Sequence, residues 1–216
     1  MKNIKRHDMW FILIVIVLCV FSISIAYSLL STTLNISGRA EIKEATWNIK
    51  LTEFTDEKLM KEIISTNYTS LKDNIVTIGG ARVVKNGEIS DTLIKGFEWD
   101  FKRAGDKVYA FYTVRNSGTI PAMLSEKEFL TPDVVSSTSN LKDINWVEGN
   151  LEYEMNFYDV KTGKAVDGEK LCRGQAVILV VSIGVRRDVP SFPDSNLTVS
   201  NFGGYLLYSQ DTSSHC

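Results

Sequence analysis

The residue types that could carry chemistry are few in this sequence. Glu152 and Glu154 lie two positions apart in the segment LEYEMNFY, so on a β-strand both carboxylates would face the same way. Paired carboxylates are what a hydrolase uses for general acid–base catalysis. Charged residues that alternate with apolar ones are, however, typical of the solvent side of a half-buried strand. The pattern favours this second interpretation.

Sequence motifs for metal or nucleophile chemistry do not occur. The sequence has only two histidines, and it contains no H-E-x-x-H, C-x-x-C or G-x-S-x-G motif and no glycine-rich phosphate loop. Asp159, Asp167 and Glu169 could offer oxygen ligands to calcium, but their spacing matches no calcium-loop signature, which favours an ordinary hairpin with acidic turns. We therefore predict no catalytic residue, no metal site and no cofactor, and a protein that is not an enzyme.

The composition is that of a globular protein. Of the 216 residues, 44% are hydrophobic and 23% charged, and 24 basic against 26 acidic residues give a net charge of −2. These values exclude intrinsic disorder, and the charge balance predicts no nucleic acid partner. The charges are unevenly placed, because residues 9–38 contain none.

The charge-free stretch predicts the cellular location of the chain. Basic residues precede an apolar run over residues 9–27, and the small residues Ser24 and Ala26 then follow the spacing of a signal peptidase site with cleavage after Ala26. The same run could instead cross a membrane as one helix and remain as an anchor. Both alternatives place the remainder of the chain outside the cytoplasm. We predict a signal peptide or anchor at 1–26 and an extracellular or cell-surface domain at 27–216.

Strict alternation of apolar and polar residues dominates the part of the sequence after the leader. A period of two is that of a half-buried strand, whereas the continuously apolar segments 108–114 and 176–185 are typical of central strands. The alternating segments are 33–43, 47–52, 97–102 and 151–158, and a last strand is predicted at 205–210, after a turn at Gly203-Gly204.

Helix signals are weak, and only residues 57–66 and 124–130 are predicted as short helical insertions. The fold class expected is therefore all-β. It is a β-sandwich of the jelly-roll or immunoglobulin-like kind with one or two short helices, preceded by the N-terminal hydrophobic helix. The sequence leaves open whether Cys172 and Cys216 pair, and the tendency of chain ends to fray favours unpaired thiols.

Four blocks of the sequence carry a resemblance: AYSLLSTTLNISGRAEIKEATWNI, FKRAGDKVYAFYTVRNSGTIPAML, LCRGQAVILVVSIGV and YLLYSQ. They resemble the TasA/camelysin family of bacterial surface and biofilm-fibre proteins. The second block is similar to the family pattern L-x-x-P-G-D, strand, N-x-G-x-x-x-A, with Ala104 in place of the proline. The matching turn residues are Gly105, Asp106, Asn116, Gly118 and Ala122, with Gly174 in a second such turn.

The resemblance implies a fibre subunit that assembles by donor-strand exchange. Residues 28–42 of one copy would complete the sheet of the next, with Leu34, Ile36, Ala40 and Ile42 filling a groove. The implied partners are other copies of the chain, in a head-to-tail polymer, and a signal peptidase. Some family members have been classed as metallopeptidases, but this chain lacks the histidine pair that would hold zinc.

Two alternatives to the fibre subunit stay open from the sequence. Residues 28–42 could fold back into the sheet of their own chain. The protein could also be a membrane-tethered, monomeric, adhesin-like domain that retains helix 9–27 and binds a glycan or a protein.

Overall fold

A computed structural model describes residues 17–20, 22, 48–136, 149–189, 192, 197–211 and 216. The chain divides into two units, Met1–Lys43 and Glu44–Cys216. In the first unit, residues 17–20 and 22 are described and are helical. Among all the described residues, no helix has the length and apolar character needed to cross a membrane. The predicted strand at 33–43 and the rest of the N-terminal segment lie outside the described residues.

The second unit is mostly β, with two antiparallel sheets packed as a sandwich. This confirms the predicted all-β sandwich. The elements in the described ranges are β1 (Ile49–Glu53), α1 (Glu57–Ile64), β2 (Ser70–Lys72), β3 (Ile75–Ile78), β4 (Arg82–Lys85), β5 (Glu88–Ile89), β6 (Leu93–Phe101), β7 (Lys107–Asn116), β8 (Ala122–Leu130), β9 (Asp133–Ser136), β10 (Leu151–Asp159), β11 (Ala165–Val166), β12 (Lys170–Leu171), β13 (Ala176–Val185) and β14 (Leu197–Gln210).

The first sheet has the strand order β11-β10-β13-β7-β3-β2, and β1 also pairs with β7. Strands β1 and β3 pair with different parts of β7, residues 112–116 and 107–110 respectively. Asn74 bridges the point between them, because its side-chain Nδ2 donates to the carbonyl oxygen of Phe111 at 3.1 Å and its backbone carbonyl accepts from the Phe111 N–H at 2.8 Å. Asn74 therefore occupies the gap between β1 and β3, which together pair with β7 as one longer strand would.

The second sheet has the order β12-β8-β14-β6-β4, with β5 paired to β6 and β9 to β14. The predicted turn at Gly203-Gly204 is wrong, because both glycines lie inside β14 where its pairing with β6 shifts register. A Cβ on Gly203 would collide with the carbonyl oxygen of Ile94 on β6. The glycine pair therefore marks a close approach of two strands at a bulge.

The core lies between the sheets and follows the predicted alternation. Phe97, Trp99 and Phe101 point inward from β6 and are buried, while their neighbours on the strand are more exposed. Trp99 packs against Phe97 and Phe202 with ring centroids 4.9 and 5.2 Å apart. Full burial of such aromatic side chains stabilises the fold by about 1.5–3 kcal/mol each.

The two helix predictions have opposite outcomes. Helix α1 is present where residues 57–66 predicted one; Asp56 caps it by accepting the Leu59 N–H at 3.1 Å, and Ser65 ends it in the left-handed region. The helix predicted at 124–130 is wrong, since this segment belongs to β8 and pairs with β14, with one register shift at Ser125. Tertiary pairing outweighs the helix preference of the sequence LSEKEFL.

A disulfide joins Cys172, after β12, to Cys216, with their Cα atoms 5.8 Å apart. The expectation of unpaired thiols was wrong because the fold brings the two residues together despite a separation of 44 positions.

Replacing Cys172 by serine is expected to lower the free energy of unfolding by about 3 kcal/mol, since the unfolded chain regains the entropy of an open loop. Urea unfolding of the variant and the parent checks this. A loss that persists when both proteins are compared under full reduction would show that the cross-link is not its cause.

Candidate functional site

The residues predicted for processing and donation lie outside the part of the chain that the structure describes. These are Ser24 and Ala26 at the cleavage site, and Leu34, Ile36, Ala40 and Ile42 on the donor strand. Those two assignments stay predictions. The turn residues of the family pattern, in contrast, are all described, and their surroundings can be compared with their predicted roles.

Asp106 connects the β3–β4 turn to the β6–β7 turn. Its carboxylate is fully buried and accepts the backbone N–H groups of Gly80, Lys102 and Arg103 at 2.7, 2.8 and 3.1 Å. The Arg103 Nε lies 3.3 Å from the same carboxylate. Charge-assisted bonds of this kind are stronger than neutral ones, so Asp106 holds in fixed positions two turns that each lead from one sheet to the other.

Asn116 performs the same task at the other end of the sandwich. Its buried side chain donates to the carbonyl oxygens of Ile120 and Leu171 at 2.8 and 2.9 Å and accepts the Gly118 N–H at 2.9 Å. Its backbone carbonyl accepts from Gly174 in the β12–β13 turn. The asparagine therefore ties the β7–β8 turn to β12.

The other turn residues have more limited roles. Gly105 has φ of +83°, as a turn glycine should, and so does Gly174 with +75°. Gly118 lies in the β7–β8 turn, where it donates its N–H to the Asn116 side chain. Ala122 begins β8, where it is fully buried in the core. The family-pattern residues thus act in turns and packing.

Glu152 and Glu154 face the same way on β10, as predicted, and both contact Lys107 of β7. The Lys107 Nζ lies 3.3 Å from Glu152 Oε1 and 3.5 Å from Glu154 Oε2. Strand β13 runs between them, and Lys107 can cross it because Gly184 has no side chain at the crossing point. The carboxylates therefore neutralise a half-buried ammonium.

The charge on Lys107 is stabilised despite burial. Loss of solvent is the largest single effect on the pKa of Lys107 and would lower it, but the attraction of Tyr109, Glu152 and Glu154 together outweighs this, so the pKa is raised. The ammonium also lies 5.3 Å from the centre of the Tyr109 ring. Lys107 thus remains charged at neutral pH and holds both carboxylates in place.

The acidic turns have a local use. Asp159 Oδ1 accepts the N–H groups of Lys161 and Thr162 and the Thr162 hydroxyl, at 3.1, 2.8 and 2.8 Å. These bonds lower the pKa of Asp159. Asp167 Oδ1 accepts the N–H of Glu169. Each carboxylate therefore shapes its own turn between β10 and β12, and no group of metal-ligating side chains occurs within the described ranges.

A groove opens between the two sheets where β2 and β3 face β4. Its volume is about 600 Å³, and its apolar floor includes Ile75, Ala81 and Val83. At a different sheet edge, Lys127 of β8 crosses to the first sheet and donates to the Met155 carbonyl of β10 at 3.3 Å. One border of the sandwich is thus bridged by a side chain, while the border at β4 presents a groove with an apolar floor and with charged residues, such as Lys72, Asp73 and Arg82, in its lining.

Comparison with known proteins adds no relative. No protein-family model, no curated protein and no solved structure matches this chain.

Proposed function

We propose that the protein is a non-catalytic, exported cell-surface protein that assembles head to tail into fibres, as a biofilm-matrix or pilus-like subunit. Residues 1–26 direct export, and residues 28–42 of one copy add as a strand to the sandwich of the next copy. Because each copy both gives a strand and receives one, the contact is heterologous and generates an open filament.

The observation that supports this most is the groove between β3 and β4. Within the described residues, β4 pairs on one side only, with β6, so its outer edge offers free backbone groups beside an apolar floor. A donor strand needs this combination, since its backbone pairs with the edge while every second side chain enters the groove. Residues 28–42 have the matching pattern, with Leu34, Ile36, Ala40 and Ile42 on one face.

The finer architecture that we propose is a jelly roll rather than an immunoglobulin-like sandwich. Strands β6, β7 and β8 pair in order with β14, β13 and β12. Such nested pairing is what results when a long antiparallel ribbon is rolled into two facing sheets. Rolling leaves the first strands of the domain at a sheet border, where the groove lies.

Cysteine cross-linking tests the assembly. We expect a chain carrying Cys19→Ser, Ile36→Cys and Val83→Cys, recovered from the cell exterior, to form a ladder of disulfide-linked oligomers on a non-reducing gel. The reason is that residue 36 of one copy would lie in the groove of another, next to position 83. Electron microscopy of the same preparation without the new cysteines should show filaments.

The matched control replaces Leu207 instead of Val83, because Leu207 is exposed on β14, away from the groove. That chain should form no ladder. A disulfide between positions 36 and 83 that is confined to the monomer would mean that the strand folds back into its own sandwich, and it would overturn the proposal. Absence of any cross-link would overturn it as well.

A further inference from the structure

The link between β4 and β5 consists of two residues that can react with each other, Asn86 and Gly87. Both strands pair with β6, since the last residue of β4 lies opposite Glu98 and the first residue of β5 lies opposite Lys95. The link therefore runs along the part of β6 between these two positions, beside the core.

Close packing against β6 requires a glycine at position 87. A Cβ there would lie 2.6 Å from two ring carbons of Phe97 and 2.8 Å from the carbonyl oxygen of Lys95. Phe97 is 2% exposed and contacts Trp99, and a close-packed core leaves its ring no room to move aside. The residue at position 86 is therefore followed by a glycine for structural reasons.

The Asn86 side chain, in contrast, is not held by the fold. It is exposed, and no hydrogen bond to another described residue fixes it. Asn74 and Asn116 differ from it, because both are buried and hydrogen-bonded. Asn86 also lines the groove between β3 and β4, directly after the last residue of β4. Its carboxamide is thus open to water and borders the groove.

An asparagine that precedes a glycine can be attacked by its own backbone. The Gly87 nitrogen forms a bond to the side-chain carbonyl carbon of Asn86, and the side-chain nitrogen leaves as ammonia with the proton of the attacking nitrogen. Water then opens the resulting succinimide at either carbonyl and gives aspartate or isoaspartate. Both reacting groups belong to one chain, and the conformational freedom of glycine lets the nitrogen approach. The reaction consumes only water.

We propose that Asn86 deamidates spontaneously in the folded protein and that the products lower the affinity of the groove for an incoming strand. The groove lining has three cations, Lys72, Arg82 and Lys85, against the single anion Asp73, so one further carboxylate halves its net charge. Isoaspartate also adds a methylene group to the main chain directly after β4, where an added strand would pair. The effect on the groove rests on the proposed fibre assembly, whereas the deamidation does not.

Peptide mapping by mass spectrometry tests the modification on the full chain recovered from the cell exterior and incubated at mildly alkaline pH. A synthetic peptide of residues 82–91 gives the time in which an unhindered Asn-Gly pair converts. Within a few such times, we expect most of Asn86 to gain the mass difference between oxygen and NH. Asn67 is the matched internal control, because it is equally exposed but precedes Tyr68, whose side chain hinders the attack; it should convert about tenfold more slowly or less. If Asn86 stays intact, or converts no faster than Asn67, the proposal is wrong.

Electron microscopy tests the effect on the groove. The parent and Asn86→Gln are each incubated while dilute and then concentrated, and the filaments formed are compared with those of the same protein before incubation. Glutamine would have to close a larger ring, so incubation should reduce filament formation in the parent and leave that of the variant constant. Equal loss in both proteins, or no loss in a parent whose Asn86 has converted, would contradict the effect on the groove. If neither protein forms filaments before incubation, the fibre assembly itself is wrong, and the peptide map still decides the modification.

Discussion

Replacing Asp106 by alanine is expected to lower the free energy of unfolding by about 5 kcal/mol. The substitution leaves the N–H groups of Gly80, Lys102 and Arg103 without the acceptor that they share in the native fold. Each of these part-buried donors, left without a partner, costs up to about 1–3 kcal/mol. Urea unfolding of the full chain, followed by tryptophan fluorescence, to which the buried Trp99 contributes, measures the loss.

Two control variants separate the backbone bonds from the ion pair at Asp106. Arg103→Ala removes the 3.3 Å ion pair but leaves the three N–H bonds, and because the Arg103 side chain is 71% exposed it should cost under about 1 kcal/mol. Asp188→Ala removes an exposed carboxylate that pairs with Arg186, and it should cost equally little. If Arg103→Ala were as damaging as Asp106→Ala, the ion pair and not the turn would be the source of stability.

The sandwich could be predicted from the sequence because its strongest signals are local. Alternation over 97–102 and 151–158 directly reports that one face of each strand is buried, and β6 and β10 lie where it predicts. The continuous apolar run of β13 likewise indicated a strand covered on both faces, with the core on one side and helix α1 on the other. These patterns depend only on the period of the backbone.

The elements that were missed or mistaken depend on distant partners. The sequence of β8 alone predicts a helix, and its pairing with β14 makes it a strand. Gly203 likewise predicts a turn from the sequence alone, whereas in the fold it allows the close approach of Ile94. The very short strands β5, β11 and β12 have two residues each, too few to show any period. The disulfide also belongs here, because only the folded chain brings Cys172 and Cys216 together.

The candidate sites also divide into those that the local sequence indicated and those that depend on distant partners in the fold. The turn roles of Asp106 and Asn116 were indicated by their sequence pattern, since Asp106 follows Gly105, Asn116 lies two residues before Gly118, and aspartate, asparagine and glycine are typical turn residues. The buried hydroxyl of Ser182 was missed, although a serine inside the apolar run AVILVVSIGV was a detectable signal. Its surroundings depend on the strand register, which places Glu154 and Tyr109 on either side of it.

Replacing Asn116 by alanine is expected to lower the free energy of unfolding by about 4 kcal/mol. The change removes three hydrogen bonds in a buried site and leaves the carbonyls of Ile120 and Leu171 and the N–H of Gly118 without partners. Asn116→Asp should also destabilise, because a carboxylate cannot donate and would face two carbonyl oxygens. Urea unfolding of the full chain checks both variants.

Asn86→Ala is the matched control, since Asn86 is exposed, and it should change the free energy of unfolding by no more than about 0.5 kcal/mol.

The Asn116 bonds join the β7–β8 turn to β12, which is also the strand next to Cys172. Loss of Asn116 should therefore be more damaging in a Cys172→Ser background than in the parent, because neither restraint would then hold β12 against β8. Strictly additive losses in the double variant would show that the asparagine and the disulfide stabilise separate parts of the sandwich.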